Sequence, residues 1–250
     1  MERYNNVFNT LSIDKQIELL CNKSVPNKTE SYTPVANADI LNEFEKNFTR
    51  AGYKATTTDF RVNKSLNQVI GYYDVATNDD PEIGFRIGFK NSYDKSMSFG
   101  VAMGGVVFIC SNGMVSGEVF ERRVHTGNAD VDVISKIQYS FEHMEDEMKR
   151  NIELKKRLKE TPVSERDFHT IMGSLWVNGN VLNETQLKKM RKECYESDKF
   201  ATIKSGNFTA WDFYNAGTEA AKASRPVRFW RDHIELTKTF TDHYGIELVK

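Results

Sequence analysis

Apolar positions along this chain change period twice, dividing it into a helical start, a strand-rich middle and a helical second half. Over Ser12–Cys21, Ile13, Ile17 and Leu20 share one face, with Ser12 or Asp14 at the cap. Asn22–Pro34 carries loop chemistry. Ile40, Leu41, Phe44 and Phe48 then recur at helical spacing, which predicts a helix over Asn37–Ala51, with Asn37 as N-cap and Gly52 ending it. From Ala55 the residues are β-rich. Strands are expected at Thr56–Val62, Gln68–Val75, near Ile83–Asn91, at Ser96–Ala102 and at Val106–Cys110, with Gly104-Gly105 as a hairpin turn. Short connections between successive strands predict an antiparallel sheet over about residues 55–120.

The second half returns to helical periodicity. Ile134, Ile137, Phe141, Met144, Met148 and Ile152 predict one long amphipathic helix over Val131–Lys159, stopped by Pro162. Ser164 with Asp167 reads as a capping box, and Asn183 or Thr185 opens a further helix through Leu187, Met190 and Cys194. Phe208–Thr241 reads as two helices broken at Pro226. The fold class is α+β: an antiparallel sheet packed with a long amphipathic helix and a helical C-terminal half. Residues 1–54 form an N-terminal helical segment and residues 55–250 one α+β domain.

Composition narrows the picture. Hydrophobic residues at 39% and charged residues at 28% exclude a disordered chain, and 250 residues suffice for a proper core. With 34 Lys and Arg against 35 Asp and Glu, a uniformly basic surface is excluded, which leaves room only for a local basic groove. Cys21, Cys110 and Cys194 form no C-x-x-C pair, which points to a reducing cytoplasm and to neither zinc nor disulfides. The N-terminal stretch lacks a signal-peptide core, and no run approaches the roughly 18 apolar residues of a membrane helix. No membrane association and no cofactor are expected.

Catalytic and ligand chemistry is sparse. Cys110 ends an apolar strand, where an inert buried thiol is the default, so a Cys110–His125 nucleophile pair is disfavoured. His143 with Glu142, Glu145 and Glu147 lacks the H-E-x-x-H spacing and reads as a solvated face. Asp130 and Asp132, near His125, precede a helix, where acids stabilise its N-terminus without any further role. The glycines make neither G-x-G-x-x-G nor a P-loop. Basic residues gather at Arg122-Arg123, at Lys188, Lys189, Arg191 and Lys192, and at Arg225, Arg228 and Arg231, the last group interleaved with Phe229 and Trp230. Arginine beside exposed aromatic rings can grip phosphates while stacking bases; the alternative is a helix with Arg on its wet face and Trp in the core.

Three segments carry a family resemblance: FKNSYDKSMSFGVAMGGVVFICSNGMV, then RRVHTGNA, then FTAWDFYNAGTEAA. Together they resemble the phage/plasmid-like proteins grouped as domain of unknown function 932. The matching positions are Asn91, Ser92 and Asp94 in the turn, Cys110 and Asn112 at the strand end, and Arg122, His125 and Thr126 in the middle segment. Trp211, Asn215, Ala216, Thr218 and Glu219 match in the last. Lys95 and Arg225-Pro226 depart from the family pattern, which bears on ligand contacts rather than on membership. The resemblance implies a mobile-element protein acting in a host-cell cytoplasm, and no activity, because the family is named for lacking one. It makes nucleic-acid metabolism the expected setting, as single-strand DNA binding or annealing in replication or recombination by a non-enzymatic homo-oligomer. Arg122, Arg123, Lys188, Lys189, Arg225, Arg228 and Arg231 would supply charge, with Trp211, Tyr214 and Trp230 as stacking platforms. The alternative is a phage factor that binds and modulates a host or phage protein, such as a defence system. Trp211 and Asn215 are expected to pack near the Asn91–Asp94 turn or the Cys110–Gly113 corner, as a structural lock.

Overall fold

The computed structural model describes residues 5, 7–76, 83–107, 112–113, 120–177, 181–224 and 226–247, with backbone only at 106, 107, 112, 113, 120, 226 and 227. These residues fall into two compact units, one drawn from 1–76, 85–103 and 118–145, the other from 77–84, 104–117 and 146–250. Strands β1 (Ala55–Val62), β2 (Gln68–Val75), β3 (Ile83–Ser92) and β4 (Phe99–Val107) are neighbours in that order, and β5 (Asn112–Gly113) and β6 (Phe120–Arg123) both pair with β4. The β1–β2, β2–β3, β4–β5 and β4–β6 ladders are antiparallel. The chain is therefore α+β, with a helical C-terminal half.

In the first unit the register sorts side chains onto the two faces of the sheet. Phe60 faces Gly71, which faces Phe89, and Val62, Val69 and Asn91 form the next row on that face. A Cβ at Gly71 would lie 2.4 Å from the Phe89 ring and 2.9 Å from Phe60, so glycine is what lets the two rings close over β2. Helices α1 (Ile13–Cys21), α2 (Asn37–Ala51) and α3 (Ala129–Glu142) belong to the same unit. Phe44 of α2 lies 5.2 Å from Tyr73, 5.4 Å from Phe89 and 5.7 Å from Phe141 of α3, and this cluster of rings is the core. On the opposite face, Arg86 clasps Asp74 through two hydrogen bonds of 2.5 and 2.8 Å, and the Arg61 and Arg86 guanidiniums lie over the Tyr72 ring.

Two sequence expectations are corrected. Gly104-Gly105 is not a turn: both lie inside β4, and neither has a positive φ. Glycine permits a turn without forcing one, and strand pairing holds the extended form. The helix expected over Val131–Lys159 is two, α3 and α4 (Met144–Glu160), separated at His143. Its backbone leaves the helical region (φ −100°, ψ 6°), although neither proline nor glycine marks the place.

The second unit packs α5 (Glu165–Val177), α6 (Glu184–Glu196), α7 (Ala210–Ala221) and α8 (Pro226–Tyr244). Capping boxes open three of them: Ser164 with Asp167 for α5, Asn183 with Gln186 for α6, and Thr209 with Asp212 for α7. His243 of α8 bonds Asp167 at 2.8 Å, so the α5 cap also ties down the last turn of α8. Hydrogen bonds from Ser164 and then His243 hold the Asp167 carboxyl at about 2. At the centre, Phe213 and Tyr214 of α7 meet Phe168 and Phe240, and the Tyr214 hydroxyl shares a 2.7 Å hydrogen bond with Thr237. α7 also lies against β5, and so against Asn112–Gly113.

Candidate functional site

The polar turn after β3 folds onto the segment around His125. Asn91 is fully buried, and its Nδ2 donates to the Val35 carbonyl at 2.9 Å and to Asn37 Oδ1 at 2.8 Å. Its Oδ1 meets His125 Nε2 at 2.8 Å. Ser92 closes the turn through Met97, whose N–H donates to its Oγ and whose carbonyl accepts from it. Tyr93 Oη accepts the Asn37 N–H at 2.8 Å, so a first-turn donor of α2 is capped by a residue 56 positions away in the turn after β3 rather than by a side chain of its own helix. Asn37 is accordingly the first residue of α2, with Ala36 as N-cap. Asp94 accepts from the Ser96 N–H, the Ser96 hydroxyl and Gln68 Nε2, in an Asx-type turn. Lys95 adopts φ 62°, the left-handed conformation glycine favours, and its ammonium lies 4.8 Å from the Tyr32 ring centroid.

The middle motif supplies the other half of this lock. Arg123 Nε donates to Asp132 Oδ2 at 2.6 Å, and its terminal nitrogens donate to the Val124 and Thr126 carbonyls, shaping the loop that presents His125. Thr33 fastens the same loop, its N–H to the His125 carbonyl and its hydroxyl to the Gly127 carbonyl. His125 thus meets Asn91 rather than Asp130 or Asp132. Because both Asn91 Nδ2 hydrogens face acceptors, Oδ1 accepts, and His125 donates to it from a protonated Nε2. Burial, and then the nearby Arg123 charge, lower its pKa from the ordinary 6.5. The unfolded chain therefore takes up a proton first, and stability is full above 6.5 and declines as the pH falls through that value toward the native one. Urea midpoints across this window should show that slope, and His125→Gln should flatten it.

The late motif is α7 itself. Trp211, Asn215 and Thr218 are buried, with Asn215 Nδ2 donating to the Trp211 carbonyl and Thr218 Oγ1 to the Asn215 carbonyl. Glu219 accepts from Lys189 of α6 at 2.8 Å and from Lys222 at 2.6 Å. Burial opposes ionisation there, but these bonds hold the carboxyl below its usual range. Cys110 and Arg225 lie outside the described residues, and Asn112 is described by its backbone alone.

Several expected contacts with nucleic acid are corrected by burial and pairing. Trp230 is 3% exposed, and Trp211 and Tyr214 are buried too, so none of the three offers a ring face to a base. Arg228 and Arg231 surround the buried Asp232, Lys189 is bound to Glu219, and Arg123 to Asp132. The α8 group is thus the wet-face arrangement, with Trp230 in the core. Arg122 is exposed and donates to Ser98 Oγ at 2.8 Å. Burial, and then the Arg122 charge, push the half-buried Lys90 down to about 8. Arg122 and Arg123 belong to the first unit, and Lys188, Lys189, Arg228 and Arg231 to the second. The acids beside His143 also differ from expectation: Glu142 and Glu145 are exposed, but Glu147 is fully buried and paired with Arg150 at 2.9 Å.

One arrangement in the second unit was not anticipated. Lys188, Arg191, Lys192 and Tyr195 follow one another at i, i+3, i+4 and i+7 along α6, so they form one stripe. Lys188, Arg191 and Lys192 are exposed, and among the described residues Lys188 pairs only with the equally exposed Glu184. Arg191 and Lys192 make no ion pair among the described residues. The Arg191 guanidinium lies 5.2 Å from the Tyr195 ring centroid, and Tyr195 in turn forms a wall of a cleft of about 410 Å³. Phe168, Ile203 and Phe208 line the same cleft, with Glu165 and His169 among its polar residues. Its frame is fastened: Ala210 N donates to the Thr161 carbonyl at 2.8 Å, and Asp212 caps Thr209 while accepting from Ala201 N.

A family model described as domain of unknown function (DUF932) matches residues 27–240. The chain belongs to the DUF932 family. No curated protein and no solved structure matches it significantly. The DUF932 match spans the Asn91–His125 lock, α7 and the α6 stripe with its cleft, and leaves α1 outside. Among the described residues, no group of three His, Cys, Asp or Glu could hold a metal ion, and no helix is long and apolar enough to cross a membrane. Burial raises the Cys194 thiol far above its usual value, which keeps it in the unreactive form.

Proposed function

We propose that this DUF932 protein is a non-catalytic binder of single-stranded nucleic acid, acting in replication or recombination of a mobile element. The observation that carries this is the α6 stripe, in which exposed cations lead at helical spacing to a ring at the wall of an aromatic cleft. Backbone phosphates attract such cations without regard to sequence, and rings near the track hold bases without regard to identity. A net charge of −1 is compatible, because the attraction is local to one helix face. The Glu184–Lys188 pair is fully open to water, so a phosphate can displace the carboxylate at small cost. The buried Asn91–His125 lock supports the role of scaffold: its polar groups are committed to one another.

Ultraviolet cross-linking of the full chain to a short oligothymidylate, followed by peptide mapping, tests the placement. Cross-links should concentrate in peptides from α6 and from Phe208. Cross-links confined to the Asn91–His125 region, or absent at low salt, would refute it.

A second reading, binding of a partner protein, is favoured by one observation. At the end of α5, Trp176 is 59% exposed and Val177 76%, and a Cβ at Gly173, one turn before, would meet nothing within 4 Å. A host protein retained after nuclease treatment by the wild-type chain, and lost with Trp176→Ala, would select that reading.

A further inference from the structure

The cleft at the end of the α6 stripe has the size of a small-molecule site, and its lining combines rings with the polar residues Ser164, Glu165 and His169. The parts that hold it open are fixed independently of any ligand. The 161–164 segment is bonded to 208–210, Ser164 is capped by Asp167, and Thr202 and Ser205 cap each other. Within that frame, Tyr195, Ile203 and Phe208 remain only half-buried. Apolar surface held partly open by a rigid frame gains free energy when a planar apolar group covers it. Phe168 stands edge-on to Tyr195 at 6.2 Å, so the walls present a ring face and a ring edge rather than two parallel planes.

Charge selects among the planar groups that could enter. Arg191 lies against the Tyr195 ring, and Lys192 and Lys188 continue away from it along the helix. A group entering the cleft while tethered to a polyanion satisfies both surfaces at once; an uncharged aromatic group satisfies only one. Glu165 and His169, one helical turn apart with Glu165 Oε1 3.8 Å from His169 Nε2, add polar groups that can hydrogen-bond a ligand.

We infer that this cleft accepts an unstacked base of the single strand whose phosphates lie along α6, which makes it the base-binding site of the protein. The inference rests on the proposed function above and adds to it. Backbone binding through α6 needs no cleft, whereas base capture predicts that removing bases weakens binding at constant charge.

The test compares two oligonucleotides of equal length by fluorescence anisotropy with the full chain: oligothymidylate and the same backbone built from abasic units. Wild type should bind the base-bearing strand about tenfold more tightly, in line with the worth of one stacked base. Tyr195→Ala should reduce that preference to about twofold or less, while Tyr195→Phe should retain it. His169→Trp obstructs the mouth from a side chain that is 71% exposed, leaves the core rings in place and should abolish the preference as well. Equal binding of the two strands by wild type, or a preference that survives both Tyr195→Ala and His169→Trp, overturns the inference while leaving backbone binding intact. Absence of binding to either strand at low salt overturns both.

Discussion

Asn91→Ala is expected to destabilise the protein by roughly 3 kcal/mol, because it strips partners from buried groups that have no water to replace them. One amide serves the Val35 carbonyl, Asn37 Oδ1 and His125 Nε2, joining β3 to the start of α2 and to the loop before α3. The alanine would leave a buried carbonyl, an imidazole N–H and an amide oxygen short of partners at once. Asn91→Asp, nearly the same shape, should cost more near neutral pH, since a carboxylate would face two oxygen acceptors. It should also raise the His125 pKa, by placing a negative charge beside the ring. Urea unfolding followed by circular dichroism checks both variants. A loss below about 1 kcal/mol for Asn91→Ala would show that the amide's bonds are individually replaceable.

Arg191→Glu combined with Lys192→Glu is the second large effect. Neither side chain makes an ion pair among the described residues, so reversing them breaks no ion pair and gives up only the exposed Arg191 contact with the Tyr195 ring, and the fold should be unchanged. If both contact phosphates, the log–log salt slope of oligonucleotide binding should fall by roughly 1.4, from about 0.7 per contact on a single strand, and affinity at low salt should drop about tenfold or more. The same reversal at Arg228 is not equivalent. That guanidinium pairs with the buried Asp232, and a glutamate there would set a second carboxylate beside it with only the longer Arg231 contact remaining, so it should destabilise the second unit and confound a reading of binding.

The parts legible in the sequence are those governed by local rules. Ser12, Gly52, Ser164 and Asn183 mark helix ends because their side chains or backbones satisfy groups within three or four residues. The β1 and β2 limits follow from residue type and turn chemistry in the same way. The His143 break was not legible, because apolar spacing continues from Phe141 through Met144 and Met148 without a proline or glycine. The Asn91–His125 bond joins residues thirty-four positions apart, and nothing local distinguishes a turn asparagine from one that holds three elements together. Trp230 shows the converse. Its helical neighbours His233 and Thr237 are buried with it, so its place in the core was present in the spacing but masked by the flanking arginines. The α6 stripe was legible in part: Lys188, Arg191 and Lys192 stood out as a cluster, while Tyr195, the ring that gives the cluster its direction, lies one turn further along the same face.

The central claim is that α6 of the second unit carries a single strand, and one titration tests it most directly. Wild type and the Arg191→Glu/Lys192→Glu variant are each titrated with a fluorescent oligothymidylate across a series of salt concentrations. The claim predicts salt-sensitive binding by wild type and a variant with both weaker affinity and a shallower salt slope. Equal affinity and equal slope for the two proteins, or no binding by wild type at the lowest salt, would contradict it.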